Sequence, residues 1–155
     1  MRNVWLGCFS TLLLASLVLG QDRGTVMLWL RQPKSPAVLT RTVHGIQDLL
    51  QSATLKNVSN TSLVGYRIGW VVVYPGSKDK VGLGLPVDMP EGLEPEQTTE
   101  VPGQGVNSQF TDGATAVVFF VTDVRTISGT VWRPDLSRIE QDARQMADST
   151  LTPSD

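Results

Sequence analysis

The chain has 155 residues, 41% of them hydrophobic and 18% charged, with 13 basic side chains against 15 acidic ones. That balance leaves no positive excess to neutralise a phosphate backbone, which excludes nucleic acid as a natural partner. It also excludes a disordered or fibrous chain, because valine and leucine are plentiful and a net charge of -2 is too small to keep a chain expanded. One domain fits the length.

Met1, Arg2 and Asn3 make a short positive start, and no charge follows from Val4 to Leu19, a run that includes Leu6, Phe9, Leu12, Leu13 and Leu14. The run falls short of the roughly 20 residues a helix needs to cross a bilayer core, but it suits a secretory signal. Val18 and Gly20 are small enough to flank a cleavage site, so residues 1–20 read as a signal peptide and Gln21 as the first mature residue. Cys8, the one cysteine, stands near the beginning of the apolar run, whereas a lipid-modified cysteine would close it, so it reads as filler. The expectation is a secreted or periplasmic protein with no membrane span after cleavage and no disulfide. Its stability must come from core burial, for which residues 21–155 are long enough.

Thr25 to Arg31 reads as a first strand, stopped by Pro33 and Pro36, and Ala37 to Val43 as a second. The stretch 45–50 fits a loop or a single turn. Ala53, Leu55 and Asn57 alternate before Asn57-Val58-Ser59-Asn60-Thr61-Ser62, whose side chains favour turns; the two glycosylation sequons within it read first as turn chemistry.

The clearest strand runs from Leu63 to Tyr74. Val64, Tyr66, Ile68, Trp70, Val72 and Tyr74 share one face, expected to be the core side, and Gly65, Arg67 and Gly69 face outward. A Pro75-Gly76 turn leads to a partner strand over Val81 to Val87. Asp88 to Glu100, with Glu91, Glu94, Glu96, Pro90 and Pro95, reads as an acidic edge loop. Ala114 to Val121 is apolar on both faces and fits the middle of a sheet, with Asp123 ending it. Ser128-Gly129 closes a hairpin. Pro134 in a first turn, Asp135, and the spacing of Leu136, Ile139, Ala143 and Met146 predict an amphipathic helix of about three turns. The domain therefore spans residues 21–148, with a tail at 149–155 and six to eight strands in all.

The order LKNVSNTSLVGYRIGWVVVYPG, GLEPEQTTEV, ATAVVFFV and a closing hairpin resembles the small exported bacterial β-sandwich modules of immunoglobulin-like type. The resemblance covers roughly residues 51–132. Such modules often enter a late strand through Leu-x-Pro-Gly, where this chain has Leu93-Glu94-Pro95-Glu96. What it implies is an all-β, immunoglobulin-like antiparallel sandwich, here with a C-terminal amphipathic helix; it implies no catalytic site.

His44 is the only imidazole, which excludes most histidine triads and multi-histidine metal sites. No serine lies in Gly-x-Ser-x-Gly, and Lys78 and Lys80 sit in a solvated turn. The acidic stretch does not match an EF-hand loop, and its prolines oppose convergence of Glu91, Glu94 and Glu96 on a cation. No cofactor or metal is expected.

Two places stand out for recognition. Trp132-Arg133-Pro134-Asp135 joins strand to helix, with Trp132 sealing one end of the sandwich. Arg67, between Gly65 and Gly69, offers one charged fork on a flat strip; it also reads as a solvated arginine beside glycines that allow the sheet to twist. The partner-binding candidates are Arg67, Glu91, Glu94, Trp132 and Arg133. The function expected is non-enzymatic, an exported binding or envelope-associated protein that meets an unknown protein or envelope component through a sheet face or edge. One alternative is a hydrolase or metal-dependent enzyme using loop carboxylates such as Asp88, Asp112 and Asp123; another is a structural envelope component held by residues 1–20 as an uncleaved anchor.

Overall fold

Side-chain alternation along two long strands decides the architecture. The computed structural model describes residues 24–43, 52–101 and 111–151. The expected signal segment 1–20, His44, the stretch 45–50 and the last four residues lie outside them. The elements are β1 (Val26–Trp29), β2 (Ala37–Val43), β3 (Ser52–Asn57), β4 (Leu63–Val73), β5 (Lys80–Leu83), β6 (Val87–Leu93), β7 (Thr98–Val101), β8 (Ala116–Thr126), β9 (Val131–Trp132) and α1 (Leu136–Leu151).

One sheet has the order β1-β8-β4-β5, with β6 also beside β4 and β9 beside β8; the second is β2-β3-β7. The ladders are antiparallel except that β1 runs parallel to β8, from Val26↔Ala116 to Trp29↔Phe119, a departure from the wholly antiparallel expectation. The turn after β1 carries the chain to the other sheet, so β1 must find a neighbour distant in sequence.

Between the sheets lies a core that includes Leu55, Leu63, Tyr66, Ile68, Val72, Val101, Phe119 and Val121. Burial pushes the Tyr66 hydroxyl above its ordinary pKa. On the opposite face of the first sheet, Val71, Val73, Val118 and Phe120 pack against Ile139, Ala143 and Ala147 of α1. The domain is therefore mostly β, in three layers: sheet, sheet and helix. The both-sided apolar pattern of β8 follows from its place in the middle layer.

Two irregularities redirect side chains. A register shift between Leu63 and Gly65 puts Leu63, rather than the expected Val64, in the core. A second shift, opposite Arg67 and Ile68, carries β8 past Asp123 to Thr126, so Val121 and Val124 face the same core although three positions apart.

The expected partner strand 81–87 is split into β5 and β6, which pair with successive parts of β4. The stretch 88–100, expected as a loop, is β6, a turn and β7. Pro90 is tolerated because the ladder passes from Gly65↔Asp88 to Leu63↔Leu93 and leaves the residues between out of register.

The helix starts at Leu136, so Pro134, expected in its first turn, lies before it. Asp135 is its N-cap, with Oδ1 accepting from Ser137 N at 3.0 Å and Ser137 Oγ at 2.7 Å, and Pro134 precedes the cap. Those hydrogen bonds hold the Asp135 carboxyl below its usual pKa. The buried stripe is Ile139, Ala143 and Ala147, while Leu136, expected inward, is 44% exposed. Two alanines let the helix approach the sheet closely, and Arg144 pins it: Nη1 donates to Tyr74 O at 3.0 Å, Nη2 to Ser77 O at 3.1 Å and Nε to Asp79 Oδ2 at 3.1 Å. The helix runs to Leu151, past the tail boundary expected at 149. Among the described residues no helix is long and apolar enough to cross a membrane.

Candidate functional site

Outside the area covered by α1, the first sheet carries charge. Arg125 crosses the backbone of Gly65 to reach Asp88 on β6, and Arg67 Nε stands 3.5 Å from Asp123 Oδ2 on β8. A methyl group at Gly65 would collide with the Arg125 guanidinium, and one at Gly69 would lie 2.6 Å from Thr122 Cγ2 and 2.8 Å from Phe120 Cζ. The strip expected to be open beside Arg67 is thus filled. These glycines exist so that neighbouring side chains can lie flat across β4. Arg67 Nε is buried and makes no hydrogen bond, so its environment is the Asp123 carboxylate and the sheet.

The other acidic candidates are dispersed. Glu91 is exposed where β6 leaves the ladder, and Glu94, in the β6–β7 turn, accepts from Ser62 Oγ at 2.9 Å. Asp88 and Asp123 each face their own arginine, and Asp112 is exposed before β8. Among the described residues no three histidine, cysteine, aspartate or glutamate side chains are grouped to hold a metal ion.

The structure does bring Trp132 and Arg133 together with residues a hundred positions away. They line a cleft of 290 Å³ with Pro33 and Lys34 from the β1–β2 turn and Arg138 and Ile139 from α1. Trp132 packs against the inter-sheet core, so its indole is a fixed wall. The opposite rim is fixed by Gln32, whose side-chain amide pairs with β8: Nε2 donates to Val121 O and Oε1 accepts from Val121 N, both at 2.8 Å. Ser35 N closes the turn on Gln32 O at 3.3 Å, with Lys34 at φ 62°, a backbone region that favours glycine.

A second exposed feature is the edge of the first sheet at β5. Its one ladder partner among the described residues is β4. Val81 is 40%, Leu83 50% and Leu85 81% exposed. Gly82 lies under the Trp70 indole, which fills the space a side chain would take. The alternation of Val81 and Leu83 about Gly82 was legible in the sequence as a strand, whereas Leu85 falls in the break between β5 and β6; that these apolar side chains stay uncovered follows from the place of β5 at the end of the sheet.

The turn between β3 and β4 has a structural task. Asn57, fully buried, donates through Nδ2 to Thr61 O at 2.9 Å and Leu93 O at 2.8 Å, and its Oδ1 accepts from Ser59 N at 2.9 Å and Ser59 Oγ at 2.7 Å. The sequon there is turn chemistry, as its composition suggests. Compared with known proteins, the chain finds no match: no family model, no curated protein and no solved structure corresponds to it.

Proposed function

We propose that the protein is an exported, secreted or periplasmic, non-enzymatic binding protein associated with the envelope, which recognises an extended segment of a partner protein through the open edge β5. The observation that carries this reading is the edge itself, a strand whose one ladder partner among the described residues is β4 and whose Val81, Leu83 and neighbouring Leu85 are exposed. Proteins ordinarily blunt such an edge with charge, proline or a covering element. Here the run from Val81 to Leu85 is apolar or glycine throughout, with Lys80 before it and Pro86 after it. A partner strand added to β5 would gain main-chain hydrogen bonds on the side away from β4 and apolar contacts from the exposed side chains. Exposed Lys78 and Lys80 favour an acidic residue next to the added strand.

An immunoglobulin-like topology belongs to the same proposal. Two packed sheets support it, and so does Glu96, at the place of the glycine in Leu-x-Pro-Gly, whose φ of 66° lies in the left-handed region that glycine favours. The test is affinity capture from envelope extracts by the wild-type chain and by a Leu83→Lys, Leu85→Lys variant whose circular dichroism matches the wild type. One stoichiometric partner held by the wild type and lost by the variant supports edge recognition. Equal capture by both, or none after repeated attempts, refutes it.

A further inference from the structure

Besides the edge, the cleft beside Trp132 has the features of a binding site. Trp132, Pro33, Pro134 and Ile139 give it an apolar interior, and its rim carries Lys34 and Arg133. The ion pairs among the described residues include neither of these cations. The carboxylates of the cleft are engaged locally: Asp135 caps α1 through Ser137, and Asp142 lies 3.6 Å from Arg138 Nε. With Arg138 facing Asp142, Lys34 and Arg133 outnumber the remaining Asp135 carboxylate, so the balance of charge lining the cleft is positive.

Lys34 holds a left-handed backbone that glycine would adopt without strain, in a turn fixed to β8 by the buried Gln32 amide. A strained lysine kept at the mouth of a cleft points to a task for its ammonium group. Arg133 and Lys34 are both exposed, so an elongated ligand can pass over the rim. A bare phosphate would leave the indole and Ile139 unused, and the acidic chain as a whole does not attract a polyanion.

We infer that this cleft binds a short acidic peptide segment of a partner protein, with an aspartate or glutamate between Lys34 and Arg133 and the adjoining apolar side chain against Trp132. The volume of 290 Å³ is at the small end of ligand sites, enough for two or three side chains. Binding is electrostatic at the rim and weakens with salt. It does not use β5.

The probe is a capped hexapeptide with adjacent phenylalanine and aspartate between glycine and serine residues, titrated into ¹⁵N-labelled protein. A control peptide has asparagine in place of the aspartate. The Trp132 indole resonance shifts and saturates by about millimolar peptide, and the asparagine peptide binds about ten-fold more weakly. Lys34→Gly lowers affinity for the acidic peptide about ten-fold while raising the melting temperature, because it removes charge and backbone strain together. Arg133→Gln, at an exposed position, also weakens binding. The absence of a saturable shift at Trp132, equal affinity for the two peptides, or unchanged affinity in a folded Lys34→Gly protein overturns the inference. Leu83→Lys, Leu85→Lys leaves peptide binding intact, which separates this result from failure at the edge.

Discussion

Gln32 offers the sharpest test of how the first sheet is completed. The β1–β8 ladder continues with Leu30 N donating to Phe119 O at 2.8 Å, and beyond it the Gln32 side chain replaces a strand residue opposite Val121. Gln32→Ala leaves a buried N–H and a buried C=O unpaired. Each unsatisfied group costs about 1–3 kcal/mol, and access from the nearby cleft places the sum near 3 kcal/mol. For a domain of this size the melting temperature falls by about 10 °C. Gln32→Glu separates hydrogen bonding from shape. A protonated carboxyl can offer one donor and one acceptor, as the amide does here, whereas the ionised form sets an acceptor oxygen against Val121 O in place of the donor. Burial raises its folded pKa above the unfolded value of about 4.3, so the folded state holds the proton over the interval between them. Stability of this variant relative to wild type therefore falls as pH rises through that interval and is level above it. Urea unfolding followed by tryptophan fluorescence, at about pH 4 and pH 7, measures both variants. A Gln32→Ala protein within about 0.5 kcal/mol of wild type, or a Gln32→Glu protein with no pH dependence relative to wild type, refutes the ladder role.

Asn57→Ala exposes the chain to a larger loss, about 3–5 kcal/mol, because Thr61 O, Leu93 O and Ser59 N lose a buried partner; denaturant midpoints check it. Gly69→Ala destabilises by about 1–3 kcal/mol through collision with Thr122 and Phe120, and Gly65→Ala by less, because the far end of Arg125 can move aside; thermal melts of the pair should keep that order. Glu96→Gly raises stability by about 0.5–1 kcal/mol despite loss of the exposed Lys56 ion pair, measured by the same melts. Asp135 has a lowered folded pKa, so its cap stabilises the protein above the unfolded carboxyl pKa and is lost as pH falls through the folded value; Asp135→Asn should flatten that acid-side decline in pH-dependent unfolding.

Strand identity was largely legible in the sequence. The period-two rings of β4, the doubly apolar β8 and the Ser128-Gly129 hairpin follow from local pattern, and the structure has each of them. The acidic stretch misled because prolines and glutamates are poor strand formers, yet β6 and β7 sit at sheet margins where both are tolerated. Of the five partner-binding candidates, Trp132 and Arg133 reach the cleft. Arg67 could not be judged from the sequence, since a bulge in β8 sets Asp123 opposite it. Gln32 and Lys34 were missed; the visible signal was the Pro33-Lys34 turn, with nothing local to join it to Trp132.

Alternation, turn residues and the cap at Asp135 determined by themselves that this chain makes strands and one closing helix, because those choices depend on neighbours a few positions away. Only the tertiary structure decided that β1 lies parallel to β8, that Arg144 fastens the helix beside Asp79, and that the 33–34 turn meets the start of α1. Those contacts join residues tens of positions apart, and their selection depends on which apolar faces must be covered together and which buried polar groups must find partners.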